Sequence, residues 1–146
     1  MTAWTRLFVA LFVCASASAA PVPKVVKKSP SDTLVGEWRE VKHDDSGEPT
    51  GALTGYNWKF ESDGTAAVIW PDGTIVPATY QLDDAGSVKK YDWTLTQHSV
   101  RFLGVYDLRG DTLRTAVVSA DWNRPTDVKP TPKVEYRTYV RVKSSP

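Results

Sequence analysis

From Leu34 to Lys143 the apolar residues of this chain recur with a period of two. That spacing specifies strands with one buried face and leaves no window for an amphipathic helix. Tyr56, Trp58 and Phe60 alternate with Asn57, Lys59 and Glu61, and Tyr91, Trp93 and Leu95 alternate with Asp92, Thr94 and Thr96. Phe102, Gly104, Tyr106 and Leu108 make a third such face, and Val134, Tyr136, Thr138, Val140 and Val142 a fourth. Weaker alternation marks Leu34–Lys42, Ala66–Trp70, Ile75–Leu82 and Thr112–Ser119, which brings the strands to eight. Helix is confined to at most one short turn within the loop 43–54.

The segments between these runs carry hairpin chemistry. Ser62-Asp63-Gly64, Pro71-Asp72-Gly73, Asp83-Asp84-Ala85-Gly86-Ser87 and Arg109-Gly110-Asp111 each supply residues that stabilise tight turns. Short turns force consecutive strands to run antiparallel. Eight such strands leave two exposed edges unless the sheet closes on itself. The expected fold is all-β, an eight-stranded antiparallel up-and-down barrel over residues 32–143, with a β-sandwich as the alternative.

Residues 1–20 read as an export signal outside this domain. Arg6 supplies the positive end, Leu7 to Ala15 the apolar stretch, and Ala15-Ser16-Ala17-Ser18-Ala19-Ala20 the small residues that signal peptidase requires. The stretch is shorter than the roughly 20 residues of a permanent membrane anchor. Cys14 is the one cysteine of the chain, and Phe12 and Val13 stand before it where a lipid-attachment signal wants small residues. Cleavage after Ala19 or Ala20 therefore leaves a chain without cysteine, exported to the periplasm or the extracellular medium. Pro21 to Ser31, with three Pro and three Lys, reads as an extended linker.

Charge excludes further classes. The whole chain holds 18 basic and 17 acidic residues, a balance unlike that of a nucleic-acid binder. With no cysteine in the exported chain there is neither a thiol nucleophile nor a zinc-ribbon site. No Gly-x-Ser-x-Gly elbow and no glycine-rich phosphate loop occurs. His43-Asp44-Asp45 with the distant His98 lacks a metal-ligand spacing and reads as a polar loop. Asp44/Asp45 and Asp83/Asp84 fall where turns favour Asp. The Arg109-Gly110-Asp111 tripeptide is accounted for as a hairpin turn. The sequence thus names no catalytic residue, no metal ligand and no cofactor, and the expectation is a non-enzymatic monomer.

The aromatic content carries the functional question: six Trp, six Tyr and four Phe. Trp38, Tyr56, Trp58, Phe60, Trp70, Tyr80, Tyr91, Trp93, Phe102, Tyr106 and Tyr136 all fall at positions expected to face inward. An eight-stranded barrel is just wide enough to be filled by such rings or to hold one small molecule. Arg124 sits in a long segment, 120–133, with Trp122 and three prolines. It could cap a pocket mouth and pair with a ligand, or stack on Trp38 or Trp122 and fasten the segment.

The first strand, Leu34-Val35-Gly36-Glu37-Trp38-Arg39-Glu40-Val41, resembles the opening strand of lipocalins, whose Gly-x-Trp places the Trp at the closed barrel end. Gly104-Val105-Tyr106-Asp107-Leu108-Arg109-Gly110-Asp111-Thr112-Leu113 is similar to the G-x-Y-x-L-x-G-D-T-L stretch of a lipocalin-like family of exported planctomycete-type proteins. Arg124-Pro125 stands where that family carries Arg-Pro before its last strand, and Val134–Lys143 matches the closing strand. Ala116 to Ser119 stand where the family has a Cys. The resemblance implies a lipocalin-like barrel, with Gly36 and Trp38 structural, and an exported address. On this reading a small apolar molecule binds in the barrel against Tyr56, Trp58, Tyr80, Trp93 and Tyr106, with Arg124 beside it. The alternative is an envelope protein-interaction or inhibitor module with a filled barrel, acting through loop 120–133.

Overall fold

The computed structural model describes residues 33–44 and 55–143. The expected export signal, the linker and residues 45–54 of the first loop lie outside the described residues. Among those described, eight strands form: β1 (Gly36–Asp44), β2 (Asn57–Phe60), β3 (Thr65–Ile69), β4 (Ile75–Asp83), β5 (Lys89–Leu95), β6 (Val100–Arg109), β7 (Thr112–Ser119) and β8 (Glu135–Arg141). Each pairs antiparallel with its neighbour in sequence, and β1 pairs with β8 to close the barrel. The described chain is all-β, and none of its segments is a helix long and apolar enough to cross a membrane. The up-and-down barrel expected from the alternation is the observed fold.

Turn chemistry works as the sequence implies. Gly64 and Gly73 take φ of 88° and 86°, a region that costs glycine little and other residues much. In each of these hairpins the preceding aspartate accepts from the following threonine amide, Thr65 to Asp63 at 2.9 Å and Thr74 to Asp72 at 2.8 Å. The Thr65 hydroxyl and then its amide hold the Asp63 carboxyl below the usual aspartate range, and the Thr74 amide and then its hydroxyl do the same for Asp72.

One end of the barrel is sealed around Trp38, which is fully buried. Its indole Nε1 donates to the Leu34 carbonyl at 2.8 Å, and the Arg141 guanidinium lies 4.2 Å from its ring centroid. Arg141 also donates to the carbonyls of Val35 (2.7 Å) and Thr33 (2.8 Å), tying the last strand to the chain ahead of the first. Gly36, at φ 128°, leaves room for this, because a Cβ there would stand 2.8 Å from Arg141 Nη1. The cation expected on Trp38 is thus supplied by Arg141, and Lys133 lies 5.1 Å over Trp122.

Two irregularities shape the rest. The register of β1 on β8 shifts between Glu40 and Lys42, so Val41 is an extra residue turned to solvent, 53% exposed. Such a bulge re-aims the residues beyond it: Glu40 pairs across from Tyr139 and His43 from Arg137, and both face the barrel interior. The second irregularity corrects an expectation. Tyr136 does not face inward. It packs on the outer wall with Val105 and Ala116, covered by Val128 and Val134. The inward row of β8 is Arg137, Tyr139 and Arg141, because the apolar alternation of this strand is buried by the 120–134 segment strapped across the outside.

That strap is pinned by Arg124. Its Nη1 donates to Asp92 Oδ1 (2.5 Å) and to the Gly104 carbonyl (2.8 Å), and its Nη2 to Asp92 Oδ2 (3.0 Å). A two-pronged guanidinium–carboxylate pair of this kind fixes orientation as well as position.

Candidate functional site

Inside the wall, the rings of alternate strand positions meet each other. Trp93 stacks on Phe102 with centroids 3.9 Å apart, and Trp58 stacks on Phe60 at 5.1 Å. Trp58 meets Trp93 edge-on at 4.9 Å and Tyr56 at 6.3 Å. These offset and edge-to-face contacts are the preferred geometries of aromatic pairs. Gly104 serves this packing directly: a Cβ there would lie 2.7 Å from Tyr91 Cε1, so the missing side chain is the space the Tyr91 ring occupies.

The aromatic stack borders a buried polar cluster. At its centre is Arg137, 1% exposed. Its Nη1 donates to Glu40 Oε2 at 2.5 Å, its Nη2 donates to Glu135, and its guanidinium lies 4.0 Å from the Tyr56 ring centroid. Glu40 Oε1 accepts from the Gly55 amide at 3.1 Å. His43 Nδ1 lies 3.9 Å from that same oxygen. The His43 side chain is only 10% exposed, yet neither ring nitrogen has a hydrogen-bond partner. Tyr91, Thr115 and Tyr139 complete the wall, all nearly fully buried.

The electrostatics follow from burial. Desolvation, reinforced by the Glu135 charge, pushes the Tyr56 phenol well above its ordinary range, and desolvation does the same to Tyr139 and Tyr91. All three are therefore neutral hydroxyls at any physiological pH. Burial works against the Arg137 charge, but the facing Tyr56, Tyr139 and Glu135 groups outweigh it and its pKa is raised. A buried guanidinium persists when carboxylates face it in this way.

No protein-family model, curated protein or solved structure matches this chain. The site is therefore read from its own atoms.

Of the residues expected to line a ligand, Trp58 and Trp93 belong to the stack, and Tyr56 links it to the polar cluster through its contacts with Trp58 and Arg137. Tyr80 and Tyr106 belong to the same interior, but their hydroxyls point elsewhere. Tyr80 donates to the Glu61 carbonyl at 2.7 Å and Tyr106 to Asp84 Oδ1 at 2.5 Å, both in hairpin turns. Arg124 lies outside the barrel on the strap. Glu40, Glu135, Arg137 and Tyr139 had no place in the sequence reading of the site, and His43 figured there as a loop residue. The one available signal was Glu135-Tyr136-Arg137-Thr138-Tyr139-Val140-Arg141, where charges and phenols alternate as regularly as the apolar residues do. Asp45, named with His43 as a candidate ligand, lies outside the described residues. Among those described, no three His, Cys, Asp or Glu side chains converge on one point.

Proposed function

We propose that this chain is an exported, non-enzymatic binding module of lipocalin-like type that takes a small molecule into its barrel. The apolar body of the ligand rests against Tyr56, Trp58 and Trp93, and its polar end meets the polar cluster around Arg137. The observation that carries this reading is His43: nine-tenths buried, with two unpartnered ring nitrogens. A buried polar atom left unpaired costs about 1–3 kcal/mol, and a ligand with a matching group removes that cost. The purely apolar ligand expected from the sequence is thereby sharpened to an amphipathic one.

Tryptophan emission reports on this site because Trp58 and Trp93 form its wall. Protein recovered after export, with intact mass marking cleavage after Ala19 or Ala20, is titrated with fatty acids, retinoids, haem and small amines. The expected result is a saturable change in emission with at least one class. Silence across the whole panel would remove the barrel-ligand reading.

A second reading has its own observation. Trp122 is 49% exposed on a strap that Arg124 and Asp92 hold in place, and exposed aromatics on ordered loops are common anchors of protein interfaces. Under this reading the strap is the contact surface, and Trp122→Ala abolishes partner binding while leaving ligand titrations unchanged.

A further inference from the structure

Among the described residues, every lysine and arginine but three has a carboxylate or an aromatic ring beside it. The three are Arg39, Lys42 and Arg114, all exposed. Strand register brings them to one place. Lys42 lies across from Thr138, and Thr138 from Arg114, so a single row runs over β1, β8 and β7. The next row is Arg39, Val140 and Thr112, and it continues to Arg109 on β6. On β1, β8 and β7 these positions alternate with the inward Trp38, His43, Tyr139 and Leu113, so they stand on the outer wall of the barrel. Glu37, Asp44 and Asp107 border the rows, and none of them pairs with the three cations; Asp107 holds Arg109 at 2.9 Å. The opposite wall differs: there Asp92 engages Arg101 and Arg124, and Asp83 engages Lys90.

Spacing decides what such a wall can hold. Neighbouring strands lie about 4.8 Å apart, so Lys42 and Arg114 stand roughly 10 Å from each other with Thr138 between them. That is too far to grip one small anion, and it fits a surface that presents several. Apolar side chains share the wall. Val41, the extra residue of the β1 bulge, is 53% exposed between Arg39 and Lys42, and Val142 just beyond β8 is 39% exposed. Exposed valines among cations gain nothing from a soluble polyanion, whereas the boundary between lipid head groups and acyl chains rewards both apolar area and positive charge. The chain leading into the barrel carries the same sign of charge. Arg141 holds the Thr33 and Val35 carbonyls at the end of β8, so that lead-in meets the barrel at this seam. Its residues Pro21 to Ser31 include Lys24, Lys27 and Lys28 and no acidic side chain.

We infer that the outer wall of β7, β8 and β1 docks on an anionic lipid surface, with Arg39, Lys42 and Arg114 against the phosphate head groups and Val41 and Val142 entering between them. The barrel interior takes no part in this contact, which stands whether or not the barrel holds a ligand.

Vesicle flotation tests it, with protein recovered after export so that the apolar signal does not itself bind lipid. At low ionic strength the protein is expected to float with vesicles of equimolar phosphatidylglycerol and phosphatidylcholine and to stay behind with phosphatidylcholine alone. Added salt should weaken the binding, since exposed charges are screened. Arg39→Gln, Lys42→Gln and Arg114→Gln are each expected to weaken it about fivefold, and the triple variant about a hundredfold. All three side chains are exposed and unpaired, so these variants keep the fold, which far-ultraviolet circular dichroism verifies. Lys90→Gln, on the opposite wall, should bind as the unaltered protein does. Flotation with neither vesicle or equally with both would overturn the inference. So would a triple variant that binds undiminished, which would leave the lead-in lysines as the cause, or a loss in Lys90→Gln as large as in the wall variants. Binding of inorganic polyphosphate through the same three residues, with vesicles left unbound, would replace the lipid surface by a soluble polyanion.

Discussion

Arg137 is held by two carboxylates and a phenol ring in a place that offers it almost no water. Removing one partner of such a group is far more damaging than removing the whole set, because the survivors stay buried without compensation. Arg137→Leu is expected to destabilise the barrel by about 3–5 kcal/mol, the range found for broken buried pairs. The triple variant Arg137→Leu, Glu40→Gln, Glu135→Gln should recover part of that loss. Urea denaturation of the two proteins checks both figures, and equal stability of single and triple variants would refute the pairing argument. None of this was legible in the sequence. An arginine in a strand reads as a solvent-facing residue, and only the register of β8 against β1 and β7 turns Arg137 inward opposite His43 and Thr115. His43 was hidden for a related reason, since nothing in Glu40-Val41-Lys42-His43 marks the bulge that puts its ring on the same face as Glu40.

Elements are where the sequence spoke most clearly, and where it misled once. Strands β2, β5 and β6 were evident because large rings alternate with polar residues, and the hairpins were evident from Asp-Gly turns. The face of β8 was misassigned because alternation reports that one side is covered, not what covers it. Here the cover is the 120–134 strap, and Asp92 is its anchor. Burial opposes ionisation of Asp92, but hydrogen bonds and charge from Arg124 and Arg101 outweigh it and hold its carboxyl below the usual range. A depressed carboxyl contributes stability that is present above its unfolded pKa, near pH 4, and lost as pH falls through the folded value. The strap should therefore loosen in acid before the barrel does. Asp92→Asn should produce the loosened strap at neutral pH, at a cost of about 1–2 kcal/mol for a partly exposed pair. Hydrogen exchange across 120–134 measures this, and unchanged protection in Asp92→Asn would show that the apolar contacts of Tyr136 and Val105 suffice alone.

At the scale of the whole molecule, the phenols dominate the response to base. Tyr56, Tyr91, Tyr106 and Tyr139 all have pKa values raised chiefly by burial. Below about pH 10, where an unfolded tyrosine begins to ionise, they leave stability unchanged. Above it the unfolded chain loses protons that the barrel retains, so stability falls as pH rises toward the elevated folded values. Tyrosinate absorbance from these four residues is expected to appear together with the loss of β-structure, in one cooperative step. Ionisation that precedes unfolding would show that the barrel interior admits hydroxide and solvent freely.

The closure of β1 on β8 carries one more consequence. Val142 donates its amide to the Glu37 carbonyl at 2.8 Å, and Arg141 lies across from Trp38, so the two ends of the barrel sequence meet side by side. Because every strand pairs with its sequence neighbours and no connection crosses another, the strand order is a ring, and a ring has no intrinsic beginning. Joined at that seam by a short linker and cut instead at the Asp72-Gly73 turn, a circularly permuted chain would keep all eight strand pairings. What it would alter is which pairing is made across the longest stretch of polypeptide. In the natural order that pairing is β1 with β8, the seam that carries both the Trp38 seal and the Arg137 cluster, so the parts that close the barrel and the parts that define its interior chemistry are brought together by the same most distant contact.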